Sequence, residues 1–528
     1  MYSTFFGLQI ASRALSTQQA ALDVTGHNIA NANNKGYTRQ LPNIQAANPL
    51  TFNAAGKPIT IGAGSTMDSI IRARDSYVDR QFRWETSKYE YWAGKEQTLN
   101  MVEGLLNEPS DYSLSSDLNN FLNSWSELAK NPQNVGARAV LKERALTLVD
   151  TLHHIDNQIT DMQNDLDANV SVTVSQINTI ANQIKELNTQ IKRSEAAMDN
   201  PNDLKDQRDA LVDQLSKLVP VRVVETQDPG FTDRTVGNFK VIIGNESDVD
   251  NVLVDDQVVR QLQNPAPTVN GFSRVVWKAL DAGDPDPDPN DPDNWVDLGN
   301  QMGELQANIE IRDQYLVNFR SQFDTFAEGM ATAVNTIHQT GQGLEAEGIT
   351  GIEFFTLIDD TQPFTAANIT VNPLIRENLN RIATGTIPLD TTTDPPTHIQ
   401  DDDGNDLLEV GDASVALDIA SLSQGWEKLQ AYLDPGDPMP LDAGSLGDFY
   451  GSVISQMGVD IQQAKRMAEG QSVLVNHMNN QRESVSGVSL DEEMANLVRF
   501  QKSYSAAARL VTMMDSMLDS LLGMGTTR

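Results

Sequence analysis

The chain has no cysteine among its 528 residues, so disulfides, zinc-thiolate sites and thiol chemistry are excluded together and the fold must stand on packing. Absence of cysteine also suits a protein that leaves the cell without meeting a disulfide machinery. Basic residues are scarce: 38 Lys and Arg face 73 Asp and Glu, giving a formal charge of -35, which opposes binding to phosphate backbones or anionic lipid. Nucleic acid and membrane are therefore not expected partners. No run of about 18 apolar residues occurs anywhere, so no membrane-spanning helix is expected. The stretch Met1 to Ala21 lacks a basic segment followed by an apolar block, and no cleavable signal is expected there.

Catalytic patterns are missing as well. None of His27, His153, His154, His338, His398 and His477 stands in an HExxH arrangement, and no GxSxG, P-loop or GxGxxG fingerprint occurs. Asp401 to Asp406 reads DDDGND, but placing Gly404 at the turn of a calcium loop puts Ile399 at the first ligand position, and the register fails. No catalytic, metal or cofactor site is expected, and the chain reads as a non-enzyme.

What the sequence does carry is helical periodicity, strongest at its two ends. Leu8, Leu15, Leu22 and Ile29 recur every seven residues, with Ala11, Gln18 and Thr25 between them. At the far end Leu497, Phe500, Tyr504, Ala507, Val511, Met514, Leu518 and Leu521 keep strict three-four spacing. Interior helices follow from Ile177, Ile180, Ile184, Leu187 and Ile191, from Leu204 to Leu218 after a break at Asn200-Pro201, and from Leu305 to Ile337. β-branched runs such as Val221 to Val224 and Phe239 to Ile243, separated by Gly, Asn and Pro, predict strands after Pro220. Asp281 to Asp297, with seven aspartates, four prolines and no basic residue, predicts a solvated loop.

These patterns predict a mainly α chain with β-rich inserts: a long-helix bundle or coiled-coil stalk formed by both chain ends, plus one or two outer β domains. The expected divisions are 1–50, an N-terminal coiled-coil assembly segment; 51–219, 304–340 and 413–489, a helical domain in three parts; 220–303 and 341–412, β-rich regions; and 490–528, a C-terminal coiled-coil assembly segment.

A lone helix with one apolar seam is marginal in water and needs a partner. Two readings are open: the terminal helices dock on the protein's own core, or they stay mostly disordered in the free subunit and order when many copies pack together.

From Ala21 the chain reads ALDVTGHNIANANNKGYTRQ. This resembles the NIANxxTxGY signature of the flagellar axial proteins of rod, hook and hook-associated type. Gly26, Asn28, Ile29, Ala30, Asn31, Gly36 and Tyr37 carry the match, while Asn34 and Lys35 depart from the usual threonine and proline. The asparagines and Gly36 suit a helix stop, since both types tolerate left-handed backbone; a buried asparagine could instead fix register between helices. The segment from Gly487 to Leu522, with its SLDEEMANLVRFQ run, is similar to the matching C-terminal segment. Together with TRQ after Gly36-Tyr37, it points to the hook-associated protein 1 branch. The resemblance implies a structural, secreted flagellar subunit at the hook-filament junction that assembles with itself, the hook protein and the second hook-associated protein. It further implies passage through the flagellar type III export apparatus and an export chaperone (FlgN type) covering Leu490, Leu497, Phe500, Tyr504, Val511 and Leu518. Another axial subunit, an enzyme housed in a β insert, and a carbohydrate-binding outer module using Trp277 and Trp295 are the alternatives.

Overall fold

The computed structural model describes residues 6–525 except 55–56, 111, 232–235, 246–250, 266–270, 280–284, 286, 345–350, 387–388, 391–396, 399–410 and 435. Most of the acidic stretch 281–286 and the DDDGND run thus lie outside the described residues, as does the side chain of Leu521.

The first helix, α1 (Phe6–Asn31), is followed by four strands: β1 (Gln40–Ala46), β2 (Leu50–Ala54), β3 (Lys57–Ile61) and β4 (Ser65–Arg72). β1 pairs antiparallel with β4, and β2 with β3, so the four make one narrow ribbon with a hairpin at its tip. Sequence reasoning assigned no strands here and ran the helical domain from residue 51. Alternation is poor because the ribbon covers no core of its own: Ile44, Leu50, Ile59 and Ile71 are all exposed.

Three long helices then build the body: α2 (Ser76–Leu106), α3 (Leu114–Lys130) and α4 (Val135–Ala196). Side-chain caps start them, Asp75 accepting from the Tyr77 amide at 2.8 Å and Asn134 from Gly136 at 2.8 Å. At 62 residues α4 is about 93 Å long. Pro201 breaks the run where the sequence placed the break, and α5 (Asn202–Leu218) returns along α4.

Next come β5 (Val221–Gln227), β6 (Gly237–Ile243), β7 (Val252–Asp255) and β8 (Val258–Val259), an antiparallel sheet in sequential order. Its Phe239, Val241, Ile243, Leu253 and Val254 pack on Ile177, Ile184, Val212 and Leu215 of α4 and α5, giving the outer β unit its core. Trp277 is buried in this core beneath Arg260, so it offers no exposed platform for a sugar; Trp295 is exposed but stacked under Arg274 at 4.5 Å. Entry and exit of the unit touch: a Cβ on Gly303 would fall 2.5 Å from the Leu218 carbonyl.

The chain re-enters the body through α6 (Glu304–Glu310), a π-helical turn over Ile311–Tyr315, and α7 (Leu316–His338). The π turn turns Arg312 inward, fully buried, to pair with Asp313 and Asp167 and to donate to the Ser273 carbonyl. Among the described residues, the expected second β-rich region does not form a separate unit. Its strands, such as Phe355–Leu357 against Ile369–Val371, are short, and Phe354, Phe355, Ile369 and Val371 insert between Phe121, Trp125 and Leu152 in the helical core. That core also takes α8 (Pro373–Glu377) through Ile375, and α9 (Ser414–Ala420) through Val415 and Ile419. Finally α10 (Leu446–Ser486) runs antiparallel along α2, with Tyr450 bonded to Glu108 at one end and Arg482 over Phe82 at the other. A three-residue link leads into α11 (Leu490–Gly525).

Candidate assembly interface and its polar joint

α1 and α11 lie side by side, antiparallel: Asn28 meets Glu493 at one end, and Met514 sits over Gly7 at the other. Among the described residues α11 packs extensively on no other helix or strand. α1 has a second neighbour, the ribbon, onto which Thr17 donates to the Ser65 carbonyl at 3.2 Å.

This double contact explains which sides are covered. On α1 the deeply buried residues are Ala11, Thr17, Ala21, Val24, Thr25 and Asn28, whereas Leu8, Leu15, Leu22 and Ile29 are half-buried. Leu8 and Leu15 instead line an open groove with Val511. On α11 Phe500 and Ala507 are buried, Leu497, Val511, Met514 and Leu518 half-buried, and Tyr504 sits at the exposed margin. Leu490, Met494, Val498, Leu510, Met513 and Met517 are exposed, the last four among them between 49 % and 54 %. For a helix with one neighbour this leaves apolar surface on both flanks of the covered stripe.

At the base of the pair the motif residues fold into a joint. α1 ends at Asn31, whose side chain donates to the His27 carbonyl at 3.0 Å, and the chain turns through Gly36 at φ +87°, a left-handed value suited to glycine. Asn28, 1 % exposed, is not the stop. Its Oδ1 accepts from the Tyr37 hydroxyl at 2.7 Å and the Gln40 amide at 2.9 Å; its Nδ2 donates to the Gln40 carbonyl at 2.8 Å and to Glu493 at 3.2 Å. All four hydrogen-bonding positions of the carboxamide are filled. Gly26 and Ala30 are exposed, while Ile29, Asn31 and Tyr37 are half-buried. Burial, reinforced by Asp203, Asp206 and Glu493, raises the Tyr37 pKa, which keeps the phenol protonated as the donor to Asn28.

Glu493 is 2 % exposed and takes Arg39 Nε at 2.8 Å as well as Asn28; Glu492 takes Arg39 Nη1 at 2.7 Å. The Arg39 backbone extends the clamp, its amide donating to the Ser486 carbonyl and its carbonyl accepting from Ala73. The first turn of α11, Asp491 to Glu493, also sets three carboxylates at the positive end of the helix.

Below the clamp, α5 presents Asp203, Asp206, Asp209 and Asp213 at three- and four-residue spacing. Asp203 accepts from Gln40 at 2.8 Å, and Asp206 from the Thr38 amide at 2.9 Å. Arg72 binds Asp206 at 2.9 Å and Asp209 at 2.7 Å; Arg74 binds Asp79 at 2.5 Å and Asp209 at 2.9 Å. Arg83 and Arg482, from α2 and α10, share Asp213 at 2.6 and 2.7 Å. Burial alone raises the Asp209 pKa, but Arg74, Arg83, Arg72 and Arg208 outweigh it and hold the carboxyl down at about 2. Pairs buried in this way add little net stability, yet they tolerate only one geometry, so ribbon, α2, α5 and α10 are held at fixed angles where the terminal pair leaves the body.

Sequence reasoning singled out the heptad residues and the motif but not Arg39, Glu493 or the aspartate row. The row's periodicity on one face of α5, and the acid triplet opening α11, were the available signals.

No group of three or more His and acidic residues able to hold a metal occurs among the described residues. His153 contacts the Ile369 carbonyl at 2.8 Å, and buried His338 lies between the Ile352 carbonyl and the Ala383 amide.

Three family patterns match the chain: "Flagella basal body rod protein" over residues 8–38, "Flagellar hook-associated protein FlgK helical domain" over 99–355, and "Flagellar basal body rod FlgEFG protein C-terminal" over 480–524. The first covers α1 and its turn, and the last covers the end of α10 with α11. Flagellar hook-associated protein 1 of Bacillus subtilis (strain 168) is 30 % identical over 543 residues, covering 99 % of both chains. That of Salmonella typhimurium is 27 % identical over 576 residues, covering 97 % of this chain and 98 % of its own. The solved structure of the flagellar hook junction protein FlgK from Burkholderia pseudomallei superposes with a TM-score of 0.60 at 16 % identity, over 77 % of this chain and 100 % of that one, a likeness of fold. With the resemblance running from end to end at this level of identity, the chain belongs to the flagellar hook-associated protein 1 family.

Proposed function

We propose that the protein is a structural subunit at the junction between flagellar hook and filament, joined to its neighbours through α1 and α11. One observation carries this reading: among the described residues α11, a 36-residue helix, packs extensively on α1 and on no other helix or strand, and it exposes Met494, Val498, Leu510, Met513 and Met517 to solvent. An isolated two-helix pair with apolar flanks is satisfied when further helices pack beside it. Copies of this chain, the hook protein and the second hook-associated protein supply those helices. Leu8, Leu15, Leu22 and Ile29 on α1, and Leu497, Phe500, Tyr504, Ala507, Val511, Met514, Leu518 and Leu521 on α11, form the assembly interface.

Away from the polar joint the pair has little to hold it, and the turns of α11 beyond Met514 order on assembly, coupling folding to polymerisation. Before assembly the same surface needs cover. An export chaperone takes α11 through Leu490, Leu497, Phe500, Tyr504, Val511 and Leu518; since Phe500 is buried against α1, chaperone and α1 compete for it. Delivery is through the flagellar type III export apparatus. The outer β unit faces away from the axis and carries no catalytic role.

Removing Leu490–Arg528 tests the reading. The truncated subunit should be soluble with its body folded, fail to join the hook, and leave cells without attached filaments; normal motility would refute it. Equal helicity of free and polymerised subunit by circular dichroism would remove the coupled-folding part.

A further inference from the structure

The seam between α1 and α11 repeats itself, and repetition makes it ambiguous. α11 buries or half-buries Leu497, Phe500, Ala507, Val511, Met514 and Leu518, and α1 offers Leu8, Leu15, Leu22 and Ile29. Sliding one helix by a heptad, about 10.5 Å, sets Leu497 where Tyr504 was and Ala507 where Met514 was, so apolar still meets apolar. Burial of greasy side chains therefore discriminates weakly between neighbouring registers. The polar residues at the base do not repeat.

We propose that Asn28, Arg39 and Glu493 form a register lock, positioning residues that fix where α11 sits along α1. A one-heptad slip in either sense carries Glu493 away from Asn28, and an inward one brings Phe500 opposite it. The Asn28 amide would then lose one of its two acceptors inside a buried site, and Arg39 would lose both Glu492 and Glu493. Hydrogen bonds to an ionised carboxylate count for more than neutral ones, and stranding their buried partners adds to the loss. Together they bias the register equilibrium by roughly 10- to 100-fold. The lock lies within one chain, so it goes beyond the assembly reading and stands or falls apart from it. What it contributes to a polymer is a single outward direction for the exposed Met513 and Met517 in every copy.

Lack of native cysteine makes the register directly measurable. A Cβ on Gly7 would fall 1.8 Å from Met514 Cε, so Gly7→Cys with Met514→Cys reports the native register. Gly7→Cys with Ala507→Cys, and Ala14→Cys with Met514→Cys, report slips of one heptad in either sense; in the native register these pairs are offset by about 10 Å, beyond disulfide reach. Each pair is placed in the full-length chain, oxidised in the free subunit and in polymer, and quantified by the shift in gel mobility. The native pair alone should oxidise in the parent and in Glu493→Gln, whose amide oxygen still accepts from Asn28 and Arg39. In Glu493→Leu and Asn28→Leu the slipped pairs should rise roughly 10- to 100-fold relative to the native one. An unchanged ratio in both leucine variants would overturn the lock. So would loss of all three disulfides together with α11 helicity by circular dichroism, which would show that Glu493 holds the pair together without selecting a register. Assembly defects bear on neither outcome, because the ratio is read in the free chain as well.

Discussion

Replacing Asp209 by asparagine removes the charge on which the joint converges while keeping the side chain's shape. The carboxylate lies 2.7 Å from Arg72, 2.9 Å from Arg74 and 3.5 Å from Arg83. Its pKa of about 2, against an ordinary 3.8, corresponds to about 2.5 kcal/mol of preference for the ionised form in the folded chain. Each arginine keeps a second carboxylate, in Asp206, Asp79 and Asp213 respectively, so the loss stays below the roughly 3 to 5 kcal/mol of stranding a buried charge outright. Because the folded pKa is lowered, the contribution is complete above pH 3.8 and disappears as pH falls through about 2. Hydrogen exchange reads this locally. The Ala73 amide, bonded to the Arg39 carbonyl, and the amides of β1 and β4 should exchange about 70-fold faster in Asp209→Asn at neutral pH, with the gap closing toward pH 2. Equal protection at neutral pH, or a gap that persists unchanged into acid, would refute the account of the joint.

Gly36→Ala places a Cβ on a residue at φ +87° and should cost about 1 to 2 kcal/mol, read as a lower urea midpoint for release of the ribbon. Burial lowers the His338 pKa to about 4, so the helical body should lose about 3 kcal/mol as pH falls from 6.5 toward 4, where the unfolded chain binds a proton the folded one does not; in His338→Phe the urea-unfolding free energy should lose its slope over that window. Met513→Glu with Met517→Glu charges a face exposed in the single chain. It should leave the melting of the body unchanged and abolish polymerisation, measured by light scattering.

The elements legible in the sequence were those that bury one face over many turns. Ile177 to Ile191 shows its period because α4 packs one side on α5 and the sheet, and Val221 to Ile243 shows strands because that sheet has a core to cover. The ribbon escaped notice because a two-stranded element lying on one helix needs no strict alternation. Phe354 and Phe355 read as part of a β region, yet they serve the helical core, a tertiary destination that local pattern does not encode. On α1 the heptad leucines stood out, but the residues most deeply covered are Ala11, Thr17, Ala21 and Asn28, because a ribbon invisible to periodicity occupies a second side. The joint was illegible for a combinatorial reason. With 73 acids and 38 bases, nothing local pairs Arg39 with a carboxylate 454 positions away.

The touching entry and exit of the outer β unit make it interchangeable in principle. Leu218 and Gly303 form a narrow doorway, so a module of different size or stickiness can be spliced through it while the route from tail to tail stays unaltered. The tenant must bring its own roof for Ile177, Ile184, Val212 and Leu215, which would otherwise stand bare to water. Under that one condition the outside of such an organelle is free to diversify while its shaft keeps the same specification.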